Sequence, residues 1–218
     1  MTAPPAGQGG SPGPGPKIDF ASLDRLEARA LLQDLVTRYC MAVDDRDLET
    51  IVGLFVPDGS FGHHGTEPAV GHQAIRAHYR RQLSAIPYSV HVADSQLITD
   101  LGPDHAAGVV NAHAEMGRLA RPPLRAAMRY VDRYRLSEGS WRFESRRLHF
   151  WYFAPADKLD AGFSTGQRIQ WPGAPRPADL PDRLATFAAF EAEVARAERE
   201  AEKTDPEAPA EKGDGPRG

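Results

Sequence analysis

The sequence has little cysteine, no long apolar run and no excess of basic residues. Its 218 residues include one cysteine, Cys40, so no disulfide can form within the chain. No uninterrupted apolar segment approaches the ~18 residues of a membrane-spanning helix, and no N-terminal apolar segment follows a basic region as in a secretory signal. The formal net charge of -4 argues against binding to nucleic acid. These absences favour a soluble, cytoplasmic protein that does not bind membranes.

Both ends of the chain are poor in the apolar residues that a folded domain needs. Residues 1–17 are rich in proline and glycine, and residues 197–218 are mostly polar, so both are expected to be disordered. Residues 18–155 are predicted to form one domain of ordinary size. Residues 156–196 are predicted to form a loop and a C-terminal helix that cover this domain or a subunit interface.

Helical periodicity dominates the first part of the domain. Apolar residues recur at steps of three or four over residues 20–43, which predicts an amphipathic helix. A short second helix is predicted over residues 48–55 and a third over residues 71–83. Between them, Pro57-Asp58-Gly59 indicates a turn, and a short hairpin is expected to follow it.

The periodicity changes to that of strands after Pro87. Four alternating segments joined by short turns predict an antiparallel meander. Three helices followed by these strands indicate an α+β fold, in which the helices cover the concave side of a strongly curved antiparallel sheet and leave a cone with an open mouth. The four predicted strands are residues 88–100, 105–119, 124–136 and 141–153.

An acidic turn after the first helix contains the first candidate site residues. Tyr39 lies on the apolar stripe of that helix, and Asp44 follows five residues later. On a continuous helix their side chains would point about 140° apart, at ~100° per residue. They converge only if the helix ends near Val43; otherwise Asp44 is a helix cap and Tyr39 a core residue. Asp45 or Asp47 is suited to begin the second helix.

Two further residues would complete an acid–base site. His91 stands at the head of the first long strand, where a histidine facing a pocket exchanges protons near neutral pH. A carboxylate such as Asp44 would fix its tautomer, although a structural histidine bonded to the backbone is the alternative. Arg146 and Arg147 point to opposite faces of the last strand. One of them can therefore hold an anionic or carbonyl oxygen in a pocket while the other is a surface charge.

The remaining candidates are residues that would line a pocket. Asn111, His113 and Glu115 share one face of the second long strand, where they supply pocket polarity or face solvent. Large apolar residues are more often core than ligand contacts, but some must line any pocket. The candidate substrate-binding residues are Phe55, Phe61, Asn111, His113, Glu115, Met128, Tyr130 and Trp151.

The sequence does not favour a metal site. A helical zinc site needs two histidines at i, i+4, and this chain offers no such pair beside its lone Cys40. His63, His64, His72 and His78 lack this spacing. No metal ligand is therefore predicted.

Four segments together resemble the SnoaL-like group of the NTF2-like superfamily. They are RYCMAVDDRDLETIVGLFVPDGSF, GHQAIRAHY, SVHVADSQLI and WRFESRRLHF, and the resemblance extends from Leu23 to Phe153. It implies an NTF2-like cone with three N-terminal helices on a curved antiparallel sheet, plus a C-terminal helix. The group includes polyketide cyclases, scytalone and bile-acid dehydratases, ketosteroid isomerase, limonene epoxide hydrolase and non-catalytic small subunits of ring-hydroxylating dioxygenases. The fold alone therefore does not fix the reaction.

The resemblance to the dehydratase branch suggests roles for the candidate residues. The matching positions are Tyr39, Asp44, His91 and Arg146. The resemblance implies that His91, oriented by Asp44, moves a proton. Tyr39 would then donate to the oxygen that is expelled or enolised, and Arg146 would stabilise negative charge. One departure is Ser95, which stands where many relatives have asparagine.

The same resemblance implies a cofactor-independent dehydratase, isomerase or cyclase that acts on a bulky apolar molecule. A polyketide or terpenoid intermediate of bacterial natural-product biosynthesis is the expected substrate, and a dimer or trimer is the expected assembly. Two alternatives stay open. An epoxide-opening cyclase or hydrolase would need a second carboxylate near Asp44, for which Glu115 is the obvious candidate. A non-catalytic binding module or dioxygenase small subunit would need none of these residues.

Overall fold

The structure is a computed structural model that describes residues 20–204, with side-chain surroundings for residues 24–201. The predicted disordered segment 1–17 lies outside the described residues, as do residues 205–218. The C-terminal helix continues to Thr204, well beyond the predicted start of a disordered tail. Its last turns are rich in alanine, glutamate, arginine and lysine, which are strong helix formers.

Three helices precede the long strands, as the periodicity predicts. They are α1 (Phe20–Asp44), α2 (Leu48–Gly53) and α3 (Gly71–Ala85). Asp47 begins α2, because its carboxylate accepts hydrogen bonds from the Thr50 amide at 2.9 Å and the Thr50 hydroxyl at 2.6 Å. The helix is shorter than predicted, since Phe55 already belongs to the first strand.

Six strands form one sheet in the order β2-β1-β6-β5-β4-β3. The predicted antiparallel meander is confirmed for the four long strands. Because β2 and β3 are free edges, the sheet does not close into a barrel. The strands are β1 (Phe55–His63), β2 (Ala69–Val70), β3 (Tyr88–Leu101), β4 (His105–Arg118), β5 (Arg121–Ser137) and β6 (Ser140–Pro155).

The prediction of a wholly antiparallel sheet is wrong at one pairing. Strand β1 runs parallel to β6, with Phe61 opposite Arg146. Parallel pairs require a long crossover, and α3 with the rest of the meander supplies it here. The predicted turn at Pro57-Asp58-Gly59 lies within β1, where the register with β6 shifts between Phe55 and Ser60. A bulge accommodates turn-forming residues inside a strand.

The core lies between the helices and one face of the sheet. Inward residues of β4 and β5 alternate with outward ones, so Val110, Leu124 and Tyr134 are fully buried. Helix α1 contacts β3 and β6, and α3 contacts β1. These contacts leave the space between α1, α3 and the inner sheet face in which the candidate site lies.

The segment after β6 returns to the sheet before the last helix. A 3-10 turn at Ala156–Lys158 leads into α4 (Leu159–Thr165), and the last helix is α5 (Ala185–Thr204). Between these helices, Ile169 is buried and forms a bridge to Phe153. Residues 166–184 therefore cover part of the domain. Most of the described side chains of α5 are exposed, and its predicted role at a subunit interface stays a prediction.

Candidate active site

A cavity of about 110 Å³ lies between α1, α3 and the inner face of the sheet. Its wall is mainly apolar and aromatic. Among the described residues, none that lines it is an aspartate, glutamate, lysine or arginine. A site with this lining suits an uncharged ligand held by a few polar groups. The polar side chains in the wall are Tyr39, His63, His78, Tyr79, Gln82, Ser89, His91 and Tyr130.

Asp44 and His91 form a hydrogen-bonded pair at this cavity. Helix α1 ends at Asp44, so the carboxylate turns towards the start of β3. One carboxylate oxygen, Oδ1, lies 2.7 Å from Nδ1 of His91 and accepts a hydrogen bond from the Ser89 hydroxyl at 2.8 Å. The other, Oδ2, accepts the backbone amide of His91 at 2.7 Å. Both oxygens are therefore occupied, and the imidazole is fixed in position.

The electrostatics of this pair favour an ionised carboxylate. Burial raises the pKa of Asp44, but the hydrogen bonds from His91 and Ser89 outweigh it, and the net pKa is lowered. An ionised Asp44 accepts the proton of Nδ1, which leaves Nε2 of His91 as the basic nitrogen. The side chain of His91 is 14% exposed and that of Asp44 21%. The arrangement is a base with an orienting acid, as used in general acid–base catalysis.

Arg46 holds this pair in place and was missed by the sequence interpretation. Its guanidinium donates to the carbonyl of Val43 at 2.8 Å and the hydroxyl of Ser89 at 2.7 Å. It also donates to the carbonyl of Ile86 at 2.8 Å, so it joins the end of α1 to the approach to β3. Its backbone has a left-handed φ of 63°. The available signal was one arginine in the middle of the acidic turn.

Tyr39 shares its hydroxyl with a second tyrosine, Tyr79 of α3. The two hydroxyl oxygens are 2.7 Å apart, and both side chains line the cavity. Burial raises the pKa of both phenols well above their usual range, so both remain protonated hydrogen-bond donors. The sequence interpretation missed Tyr79, although it lies next to His78 in the segment that carries the family resemblance.

Arg146 lies inside the domain but does not line the cavity. Its side chain is 0% exposed, and its guanidinium carbon lies 4.1 Å from the ring centre of Tyr39 and 3.9 Å from that of Tyr130. Its Nε is 3.2 Å from Oδ1 of Asp132. The predicted direct contact between Arg146 and a substrate oxygen does not fit this position, because aromatic rings cover the guanidinium.

Asp132 is the third residue that the sequence interpretation missed. It is fully buried, and Tyr134 donates its hydroxyl to Oδ2 of Asp132 at 2.9 Å. Burial raises the pKa of Asp132 to about 6, against the opposing effects of Arg146 and Tyr134. The available signal was an acid at an inward position of β5 among large apolar residues.

Three of the predicted substrate-binding residues line the cavity, and five do not. Phe61, Met128 and Tyr130 are in its wall, while Phe55 is buried in the core beneath it. Alternation along β4 turns Ala112 and Ala114 inward and therefore turns their neighbours outward. Asn111, His113, Glu115 and Trp151 lie on that outer face. Asn111 accepts a hydrogen bond from Arg129, whose guanidinium also lies over the ring of Trp151. His113 pairs with Asp94 and Glu115 with Arg125.

The fold and the cavity together define an α+β protein of the NTF2-like type. Residues 24–147 match the family model of the SnoaL-like domain. The chain therefore belongs to the SnoaL-like family, as the four sequence segments indicate. A comparison with curated protein sequences finds no significant match.

Similar solved structures share this fold at low sequence identity. A hexachlorocyclohexane dehydrochlorinase, LinA-type3 from Novosphingobium barchaimii, is 20% identical, with a TM-score of 0.56, over 62% of this chain and 93% of that one. A provisionally named scytalone dehydratase from Novosphingobium aromaticivorans is 17% identical, with a TM-score of 0.59, over 72% and 96%. A provisionally named aromatic ring hydroxylase from the same species is 23% identical, with a TM-score of 0.57, over 62% and 96%. At these identities the likeness establishes the fold.

Two further features bear on the class of protein. No helix among residues 20–204 is both long and apolar enough to span a bilayer. In the same part of the chain, no three His, Cys, Asp or Glu side chains are grouped as a metal site would require.

Proposed function

We propose that this protein is a cofactor-independent acid–base enzyme that removes a proton from an uncharged, mostly apolar small molecule. The reaction is a dehydration, an isomerisation or a cyclisation. The observation that carries the proposal is the Asp44–His91 pair, because the carboxylate is fully bonded while the ring borders an apolar cavity. The SnoaL-like family includes enzymes of this kind, and two of the similar structures bear the names of a dehydratase and a dehydrochlorinase.

His91 serves as the general base. Its Nε2 takes a proton from a carbon of the substrate, and the ionised Asp44 stabilises the resulting imidazolium. Since Asp44 holds both the ring and the backbone amide of His91, the base needs no reorientation during the transfer. Arg46 acts as a positioning residue, because it fixes the turn that carries Asp44.

The Tyr39–Tyr79 pair donates a hydrogen bond to the substrate oxygen that gains negative charge. A protonated phenol in an apolar cavity is a strong donor to such an oxygen. The two hydroxyls are bonded to each other, so one can donate to the substrate while it accepts from the other. Arg146 lies against the ring face of Tyr39 and favours its anionic form. Arg146 therefore assists hydrogen-bond donation by the Tyr39 hydroxyl as a positioning residue that does not touch the substrate.

The size of the cavity limits how much of a substrate it can enclose. Its volume of about 110 Å³ is below the ~150 Å³ of a cavity that holds benzene, so it accommodates no more than one small ring. A bulky polyketide or terpenoid intermediate would place one ring inside and extend its remainder through the mouth. We retain a natural-product substrate, a cytoplasmic location and a homo-oligomeric assembly as parts of the proposal.

The alternative functions have less support. An epoxide-opening enzyme would require a second carboxylate near Asp44, but Glu115 is on the outer face with Arg125 at 3.3 Å. Nothing in the described residues specifically favours a non-catalytic binding module or a dioxygenase small subunit.

The proposal is tested with 3-hydroxycyclohexanone, an uncharged single-ring β-hydroxy ketone. NMR in deuterium oxide measures exchange at the carbon beside the carbonyl, and ultraviolet absorption measures elimination of water to the conjugated ketone. We expect the parent protein to accelerate exchange and His91→Ala to lower that rate by about 10²–10⁴-fold, the usual contribution of a general base.

His113→Ala is the matched control. His113 is also bonded to an aspartate, Asp94, at 2.8 Å, but it lies on the outer face of the sheet. We expect this variant to keep the parental rate. A folded His91→Ala protein with the parental rate, or an equal loss in both variants, would contradict the proposal.

A further inference from the structure

Two histidines other than His91 face the same cavity. His63 is the last residue of β1, and His78 lies on α3. Their ring centres are 6.1 Å apart, and both rings pack against Phe61, at 6.2 Å and 5.1 Å. The pair therefore belongs to the β1–α3 side of the cavity, whereas the Asp44–His91 pair is carried by α1 and β3.

His63 and His78 are half-buried and line the cavity, and no hydrogen bond joins their ring nitrogens to a described residue. By contrast, His72 is bonded to the Phe55 carbonyl and His113 to Asp94. An imidazole ring offers hydrogen-bonding nitrogens. Two such rings beside one another in the wall of an apolar cavity are available to bind a polar group of a ligand.

The electrostatics restrict what this ligand is. Burial lowers the pKa of His63, and burial together with His63 and Arg81 lowers the pKa of His78 to about 4. Asp179 opposes the effect at His63 without reversing it. Both rings are therefore neutral at neutral pH. A neutral imidazole offers one donor and one acceptor, which suits a hydroxyl or carbonyl oxygen and not an anion.

We propose that His63 and His78 form a hydrogen-bonding subsite for a carbonyl or hydroxyl oxygen of an uncharged ring compound. Its role in turnover rests on the proposed function: it holds one oxygen of the ring so that a carbon–hydrogen bond faces His91. The binding itself does not require turnover. Both histidines are positioning residues towards the proton transfer at His91.

The test compares two ligands of nearly the same shape, cyclohexanone and methylenecyclohexane. They differ in the replacement of the carbonyl oxygen by a methylene group. We expect the full-length protein to bind cyclohexanone about 3–10-fold more tightly, as one or two net hydrogen bonds allow. In protein labelled with ¹⁵N-histidine, only cyclohexanone should shift the ring nitrogen signals of His63 and His78.

The double variant His63→Phe/His78→Phe keeps two rings of similar size and removes their polar atoms. We expect it to lose the preference for cyclohexanone while still binding methylenecyclohexane, which shows that the cavity is intact. Each single variant should lose part of the preference, so the proposal stays testable if the double variant does not fold. His113→Phe, on the outer face, is the control that should leave both affinities unchanged.

His91→Ala separates this inference from the proposed function. It should abolish deuterium exchange but keep the preference for cyclohexanone. If the preference disappears in His91→Ala instead, the oxygen lies at His91 and the subsite is wrong. Failure of the parent to prefer cyclohexanone, or survival of the preference in the double variant, would also overturn it.

Discussion

Two acid–base pairs within this domain differ in how they are enclosed. Asp44 and His91 are partly exposed beside the cavity, and both carboxylate oxygens are hydrogen-bonded. Asp132 and Arg146 are fully buried, with Nε of the arginine 3.2 Å from the carboxylate. Yet the three guanidinium nitrogens have no hydrogen bond of good geometry. They are surrounded instead by aromatic rings.

The difference indicates which pair performs chemistry. A base must keep one nitrogen free at a place that a substrate can reach, and His91 does so. The guanidinium of Arg146 has no such access and faces Tyr39, Tyr130 and Phe143 at 3.9–4.4 Å. We interpret the buried pair as the element that fixes the aromatic wall, and the cavity pair as the reacting one. Each prediction below tests this division.

The largest expected effect is at the buried pair. Asp132→Ala leaves Arg146 charged, buried and without its counter-ion, which typically costs about 3–5 kcal/mol of folding stability. Urea unfolding measures the loss. The double variant Asp132→Leu/Arg146→Met removes both charges and should be more stable than the single variant. If it is no more stable than Asp132→Ala, the single loss is not caused by an unpaired charge.

At the cavity pair we expect the opposite pattern, in which the loss of activity is the main effect and the loss of stability is smaller than at the buried pair. Asp44→Asn is uncharged and cannot stabilise the imidazolium of His91, so the exchange rate should fall by about 10²-fold or more. Exchange kinetics and urea unfolding on the same samples measure the two properties. A variant that loses stability and keeps its rate would reverse the roles assigned to the two pairs.

A smaller effect on stability is expected at Tyr79, which belongs to neither pair. Tyr79→Phe removes the hydrogen-bond partner of the Tyr39 hydroxyl and should lower the free energy of unfolding by about 1 kcal/mol. Tyr39→Phe and the double variant complete a cycle that isolates the interaction. Additive losses in that cycle would mean that the two hydroxyls do not stabilise each other.

The last prediction concerns the pH dependence of stability and His78. Its pKa is about 4 in the folded protein and ~6.5 in an unfolded chain. Between these values the unfolded chain binds more protons, so this residue makes stability fall as the pH falls. The raised pKa of Asp132 acts in the opposite direction, but it is common to parent and variant.

The comparison is therefore between the parent and His78→Phe. Urea unfolding at pH 7 and pH 4.5 should show that the parent loses more stability than the variant on acidification. Equal losses would mean that His78 is accessible enough to titrate normally, and the cavity would then be wetter than its apolar lining indicates.

The sequence was sufficient for the main elements, the antiparallel meander and the family, but not for the pairing of β1 with β6 or for the inward face of β4. Periodicity located three helices and four long strands because it reflects local burial. The parallel pairing of β1 with β6 joins residues such as Phe61 and Arg146, which lie far apart in the chain, and no local pattern encodes it. Alternation likewise states which residues share a face but not which face is inside, so Asn111, His113 and Glu115 were placed in a cavity that they do not line.

The approach of Asp44 to His91 depended on one backbone detail. The spacing between Tyr39 and Asp44 left two outcomes open, and the end of α1 at Asp44 decides between them. The helix stops there because the chain turns at Arg46, whose side chain bonds four groups around the turn. The acidic residues drew attention in the sequence, but the arginine among them organises the turn.

The cavity wall is only partly formed by the residues that match the family model. The residues proposed for proton transfer lie within the family domain, residues 24–147, but Phe150, Phe153 and Trp171 of the wall lie beyond it. Trp171 comes from the segment that follows α4 and packs against Phe153, with ring centres 5.3 Å apart. Part of the cavity wall is thus encoded outside the stretch that matches the family domain. Changes in that part can alter the shape of the cavity while the residues proposed for proton transfer stay unchanged.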